Sequence, residues 1–340
     1  MILIAPRGAT ENNVTSSDGD TNDQGEQTLA FSPADLVAGR YKIVRVVGSG
    51  STGEVYEALD MALGGAVALK TLKLAFSSHA VERERFRREI QNARKVTHPN
   101  VCRIFDLGVQ GTGSQQRIFL TMELLAGQSL AQRLATGDAY SYAEALPIVT
   151  QIASALQAAH DSGVVHRDLK PGNIMLLDAV PGRAAARAVI TDFGLALSED
   201  QAGIRLTQSA DLVGTPEYMA PEQGDLGRAT PATDIYAVGL IVYEMLTKRR
   251  PYDSEPTPMA NLLKRRNEPP RTLRALLADA DPVWDATIAR CLARDPARRF
   301  SRALDIVAAL EGRIPPGTEP PAKESKMRGL SRLASKLGRR

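Results

Sequence analysis

The run His166-Arg167-Asp168-Leu169-Lys170-Pro171-Gly172-Asn173, with Asp192-Phe193-Gly194 behind it, gathers four chemically suggestive side chains. Asp168 is a carboxylate able to take or orient a hydroxyl proton, and Lys170 is a cation two residues away. Asn173 and Asp192 are hard oxygen donors of the kind magnesium prefers and commonly shares with substrate phosphates. In that order they suit phosphoryl transfer to a hydroxyl. A bare His-Arg-Asp tripeptide would carry no information. Eight matching residues followed by Asp-Phe-Gly are hard to obtain by accident.

A second constellation lies upstream, at Gly48-Ser49-Gly50-Ser51-Thr52-Gly53-Glu54-Val55. Glycines at this spacing let a backbone fold tightly over a polyphosphate and present N–H groups without Cβ clashes. A dinucleotide site has the same spacing, but there the loop opens a helix. Here Glu54-Val55-Tyr56-Glu57-Ala58 reads as a second strand. Lys70, in Val67-Ala68-Leu69-Lys70, then stands where a lysine would reach the α- and β-phosphates. Its three apolar neighbours and the loop before it argue against a plain surface lysine. A lysine under phosphates needs an anion to hold it. Glu89 is the preferred candidate because it adjoins the apolar face marked by Phe86 and Ile90, with Glu82 and Glu84 as the competing choices.

These groups need two kinds of scaffold. Short β-rich runs at Tyr41–Val47, Glu54–Ala58 and Ala66–Leu72, split by glycine turns, predict an antiparallel meander. A helix is expected over 80–95, and two more strands over Val101–Gly108 and Arg117–Leu124. Beyond Gly127 the chain reads mainly helical. Ser141-Tyr142-Ala143-Glu144 is a capping-box pattern opening a helix with Leu146, Val149, Ile152, Ala153 and Leu156 on one face. Buried helices are also expected at Ile235–Leu246 and Ala286–Leu292. The fold class is therefore α+β: a small β-rich lobe over 38–124 and a larger helical lobe over 125–311.

Residues 1–37 are polar and acidic and are expected to stay disordered, since they cannot bury enough surface to offset the entropy of ordering. Residues 312–340 form a basic tail. Met327, Leu330, Leu333, Ala334 and Leu337 would share one side of a helix there, a pattern suited to anionic lipid or an acidic partner. Gly329 and Gly338 favour a solvated, weakly helical tail instead.

The 340 residues carry 42 Lys+Arg against 39 Asp+Glu, and a net charge of +3 is too small to argue for nucleic-acid binding by the body of the protein. Cys102 and Cys291 form neither a CxxC nor a zinc pattern and read as buried thiols of a reducing cytoplasm. No apolar run approaches the ~20 residues of a membrane span. Met1–Pro6 is too short for a signal-peptide core. A cytoplasmic location is expected.

Taken together, the motifs resemble those of protein kinases, specifically bacterial serine/threonine kinases of the eukaryotic (Hanks) type, over about residues 38 to 311. The resemblance implies ATP as donor with Mg²⁺ (or Mn²⁺ in its place), a bilobal fold and protein serine or threonine as acceptor. It implies that Gly48, Ser49, Gly50, Ser51, Thr52 and Gly53 cover the phosphates and that Val55, Ala68 and Met175 sandwich adenine. The Glu123 carbonyl and the Leu125 N–H would bind its edge, with Met122 as gatekeeper. Lys70, Glu89, Asp168 and Lys170 become the catalytic set and Asn173 and Asp192 the metal ligands, with Lys170 marking a serine/threonine rather than a tyrosine enzyme.

Arg167 beside the catalytic aspartate implies a phosphorylated activation loop. Ser198, Thr207, Ser209 and Thr215 are available, and Thr207-Gln208-Ser209 matches the spacing of paired autophosphorylation sites. Thr215, in Gly214-Thr215-Pro216-Glu217-Tyr218-Met219-Ala220-Pro221-Glu222, is expected to bond Asp168 and Lys170. Glu222 should pair with Arg299 or with its neighbour Arg298 in the helical lobe. Asp234 should brace the catalytic loop, cap a helix, or both. Relatives often dimerise through the small lobe.

The chain departs from the family in a longer stretch at Asp178–Ala188, which falls where a hairpin turn belongs. The rival readings are a catalytically dead kinase-like scaffold, a small-molecule kinase and a nicotinamide oxidoreductase. The first usually loses one of Lys70, Asp168 and Asp192, and the second generally lacks a segment like Gly214–Glu222. The third fails on everything after the glycine loop.

Overall fold

The structure, a computed structural model, describes residues 29–50, 53–72, 80–112, 116–177, 187–193, 216–224 and 229–317. Most of the acidic leader, Ser51, Thr52, most of Asp178–Ala188, Ser198, Thr207, Ser209, Thr215 and nearly all of the basic tail lie outside the described residues.

Alternating burial along Tyr41-Lys42-Ile43-Val44 is what a half-buried strand requires, since successive side chains point to opposite faces. Strands β1 (Leu36–Val37), β2 (Tyr41–Gly50), β3 (Gly53–Asp60), β4 (Gly65–Thr71), β5 (Ile104–Gln110) and β6 (Arg117–Met122) form one antiparallel sheet in the order β1-β2-β3-β4-β6-β5. The register pairs Gly48 with Val55, Ser49 with Glu54 and Gly50 with Gly53, which makes the glycine-rich loop the tip of the β2–β3 hairpin. Val55 faces Lys70 across β3–β4, so the lysine sits directly beneath that tip. The strand expected from Val101 begins at Ile104 instead. Val101 is diverted into an isolated parallel bridge with Ile190, and the Cys102 N–H donates to the Ile190 carbonyl at 2.8 Å. These bonds tie the small sheet to the large lobe.

Among the described residues there are seven α-helices: α1 (Ala80–Lys95), α2 (Leu130–Thr136), α3 (Tyr142–Asp161), α4 (Pro231–Thr247), α5 (Pro258–Asn267), α6 (Pro282–Cys291) and α7 (Ala303–Leu310). The capping box at α3 forms: the Glu144 N–H donates to Ser141 Oγ, and the Ser141 N–H to the Glu144 carboxylate. Helix α4 is buried almost all round, from Thr233 to Leu246, and is the axis of the large core. Its Gly239 lies so close to α6 that an added Cβ would come within 2.7 Å of the Cys291 Cβ.

A second, three-stranded sheet, β7 (Gly127–Ser129), β8 (Ile174–Leu177) and β9 (Arg187–Ile190), carries the segments on either side of the catalytic loop. The expected mainly helical reading passed over it, because strands of three or four residues show no periodicity. No helix among the described residues is long and apolar enough to cross a membrane.

Candidate active site

The catalytic loop is held from below by one carboxylate. Asp234, on α4, accepts the backbone N–H groups of His166 (2.9 Å) and Arg167 (3.0 Å) and lies 2.7 Å from His160 Nε2. It is a brace, and the cap of α4 is Thr230, four residues earlier. His166, fully buried, donates from Nε2 to the Thr191 carbonyl (2.9 Å) and accepts the Asp168 N–H at Nδ1 (3.3 Å), which is the pattern of a neutral imidazole. Its ring meets Phe193 edge-on at 4.7 Å.

Arg167 and Asp192 have positive φ (71° and 63°), a conformation that costs a non-glycine residue of order 1–3 kcal/mol and persists only where the surroundings dictate it. For Arg167 the surroundings are Asp234 on its N–H and Gln223 on its carbonyl (2.9 Å). On this frame Lys170 Nζ reaches Asp168 Oδ2 at 2.7 Å, and Asn173 Nδ2 donates to the Asp168 carbonyl at 2.8 Å.

The facing wall comes from separate stretches of chain. Val47 and Val55 from the glycine hairpin, Ala68 from β4, Cys102 from the segment before β5, Met122 and Leu125 from the end of β6 and the connection after it, and Met175 and Val189 from the small sheet make one apolar cluster. It joins all three residues named for the adenine sandwich to both the gatekeeper and Leu125. Val47, Cys102 and Val189 were not anticipated. Val47, immediately before Gly48, carried the only sequence signal, since a strand residue entering a phosphate loop must face the same slot as Val55. Among the described residues the Leu125 N–H takes no partner. The Glu123 N–H donates to the Arg103 carbonyl (2.9 Å).

The ionic pairing differs from the expectation. Lys70, almost fully buried, lies 2.7 Å from Asp192 Oδ2 and not against Glu89. Glu89 instead accepts from Arg167 Nη1 at 3.1 Å. Burial works against the charge on Asp192, but Lys70 outweighs it and holds the carboxyl below its usual range. Arg167 Nε is buried without a partner among the described residues. Geometry explains the exchange: Lys70 and Asp192 both point into the cleft, while Glu89 on α1 faces the arginine of the catalytic loop.

Behind the site, Arg299 takes both oxygens of Glu222 (2.7 and 2.8 Å) with its side chain fully buried, which decides between Arg299 and Arg298. Arg265 of α5 donates to the carbonyls of Glu217 (2.6 Å) and Met219 (2.7 Å) and so fixes the end of the segment running to Glu222.

The fold is that of a protein kinase. The crystal structure of the Mycobacterium tuberculosis PknI kinase domain matches it with a TM-score of 0.64 at 28% identity, covering 84% of this chain and 100% of that one. A model of the protein kinase domain matches residues 41–310, and the chain belongs to that family.

Serine/threonine-protein kinase PknA of M. tuberculosis is 36% identical over 295 residues, 84% of this chain and 66% of that protein. A probable serine/threonine-protein kinase of Corynebacterium efficiens is 33% identical over 280 residues, and the probable serine/threonine-protein kinase PknB of Corynebacterium glutamicum 32% over 283. The chain covers 41% and 43% of those two proteins' lengths.

Proposed function

We propose that the chain is a serine/threonine protein kinase that transfers the γ-phosphoryl group of ATP to protein hydroxyls. The observation that carries this reading is the Asp168–Lys170–Asn173 constellation set opposite the apolar slot, with Lys70 and Asp192 between them. Adenine would occupy the slot, edge-bonded to the free Leu125 N–H. The acceptor hydroxyl would hydrogen-bond to Asp168, which takes its proton as the new P–O bond forms and the bond from the γ-phosphorus to the bridging oxygen breaks, releasing ADP. Lys170 would move from Asp168 onto the transferring phosphoryl. Because a serine hydroxyl has a very high pKa, placement and charge neutralisation contribute more than proton removal.

Asn173 and Asp192 fit a magnesium ion. Asp192 is held anionic, and Asn173 spends its amide N–H on the Asp168 carbonyl, which leaves Oδ1 for a hard cation. The ion, or Mn²⁺ in its place, would neutralise phosphate charge. Lys70 must leave Asp192 to meet the α- and β-phosphates, and Glu89 is the anion that would hold it there.

Arg167 supports activation by autophosphorylation. Its guanidinium has one carboxylate and a buried, unpartnered Nε, so a phosphate arriving from Thr207 or Ser209 would compete with Glu89 for it. Displaced, Glu89 becomes available to Lys70. The free, buried thiols Cys102 and Cys291 favour a reducing cytoplasm. Exposed Leu36, Val44 and Leu59 on the outer sheet face suit a homodimer through the small lobe, and the basic tail suits a peripheral membrane contact.

The test is incubation with labelled ATP and Mg²⁺, followed by mapping of the phosphorylated residues. Label on the chain and on an added protein substrate is expected from the wild type and from neither with Asp168→Asn. Label that persists in Asp168→Asn, or none in either form, would overturn the reading. Full activity of a dephosphorylated Thr207→Ala/Ser209→Ala double variant would remove the autophosphorylation part.

A further inference from the structure

Glu54 directly follows the last glycine of the phosphate loop, and its side chain is buried with no cation beside it among the described residues. A charge so placed is expensive unless its lone pairs are filled by hydrogen bonds. Two donors meet it, both at one oxygen. The Ala30 N–H reaches Glu54 Oε2 at 2.9 Å, and Tyr56 OH reaches the same oxygen at 2.5 Å. Tyr56, fully buried, accepts in turn from the Phe31 N–H at 3.1 Å, and the Phe31 ring packs against it with centroids 5.7 Å apart. Burial, and then Glu54, push the Tyr56 hydroxyl well above its usual range, so it stays a donor.

The backbone of Glu54 is gripped from the other side. Its N–H donates to Thr71 Oγ1 (3.0 Å), next to Lys70, and Gly53 lies so close to the Thr71 carbonyl that no Cβ would fit.

Residues 54 and 56 share one face of β3, and Val55 between them faces the nucleotide slot. We infer that the segment Leu29–Val37, which precedes the catalytic lobe, is a strap that positions the glycine-rich loop, acting through Glu54 and Tyr56 as positioning residues. The strap supplies backbone N–H groups that keep the Glu54 carboxylate turned inward. Without them the carboxylate turns to water, carrying the Gly53–Glu54 peptide with it, and the loop loses its set over the phosphates. Since the strap continues directly into the acidic leader, anything that grips the leader acts on the loop through the same bonds. This rests on the reading that Gly48–Gly53 covers ATP.

Ala30→Pro in the full-length chain tests it most cleanly, because it deletes the N–H donor and touches no residue of the slot. Tyr56→Phe keeps the ring and removes the relay. Each should raise KM for ATP roughly threefold to tenfold, the range one or two hydrogen bonds can carry, with kcat changed less than KM. The double variant should fall short of the product of the two effects, since both act on one carboxylate. Phe119→Leu, in the same core but outside the strap and away from Glu54, should lower Tm with KM unchanged. A wild type that binds ATP, with variants that lose Tm but keep its KM, would overturn the strap alone. A wild type that binds no ATP analogue would overturn the nucleotide reading, and the strap with it.

Discussion

The floor of the helical lobe and the cleft between the lobes both contain buried charges, but they are wired in different ways. In the floor Asp234 and Arg299 each have several partners. Asp234 serves three donors, and Arg299 serves both oxygens of Glu222 and the carbonyls of Ala232, Ala293 and Arg294. In the cleft these charges have, among the described residues, a single ionic partner each: Lys70 with Asp192, and Glu89 with Arg167. A group with several partners has one arrangement. A group with one partner can exchange it. On the proposed reading, the difference separates a scaffold from a switch.

Breaking the floor should therefore have the largest effect. Glu222→Ala leaves a fully buried guanidinium with only carbonyls and the Tyr236 ring beside it, and stability should drop by about 3–5 kcal/mol. For a lobe of this size that lowers Tm by on the order of ten degrees in a thermal melt. A loss below about 1 kcal/mol would mean that the carbonyls alone satisfy Arg299 and that the floor is less rigid than its bonding suggests.

A smaller effect is expected at the hairpin tip, where cleft and sheet meet. Gly53 has φ +144°, and a Cβ there would lie 1.8 Å from the Thr71 carbonyl oxygen, whereas Gly39 has φ +66° with open space around it. Gly39→Ala should cost about 1 kcal/mol, the left-handed penalty alone. Gly53→Ala should cost about 1–3 kcal/mol more, because backbone must also shift. Equal losses in urea titrations of the two variants would show that the tip yields freely and is not pinned by Thr71.

What could be read before any coordinates follows the same division. On the proposed reading Asp168, Lys170 and Asn173 serve one reacting group from within six residues of chain, so their spacing is itself the signal. The β2–β3–β4 meander was legible because three short β-rich runs are separated by glycine turns. Partners brought together by folding were not. Arg298 and Arg299 are equivalent in sequence, and only the turn Pro296–Arg298 decides which one enters the core. Glu89 was chosen from three glutamates by its apolar neighbours. Apolar neighbours mark the residue that faces the cleft, while the cation it meets there is set by folding. Ala30 and Glu54 meet through a backbone N–H, which leaves no mark on residue type at all.

The cleft pair should show the smallest change in stability and the most telling change in activity. Glu89 and Arg167 are each about one-fifth exposed (18% and 23%), so removing their contact should move stability by no more than about 1 kcal/mol. If the pair restrains an otherwise competent Glu89, the two ends must respond in opposite directions. Glu89→Gln removes the anion that Lys70 needs, and activity should fall with or without activation-loop phosphate. Arg167→Gln frees Glu89, so the basal rate of phosphatase-treated protein should rise by up to about fivefold, the rate equivalent of about 1 kcal/mol. The same variant should gain little from later phosphorylation, since the cation that would receive the phosphate is gone. Rates of both variants before and after phosphatase treatment decide it. A fall in basal rate with Arg167→Gln would mean that the arginine supports the catalytic loop directly, and the cleft would then be wired like the floor.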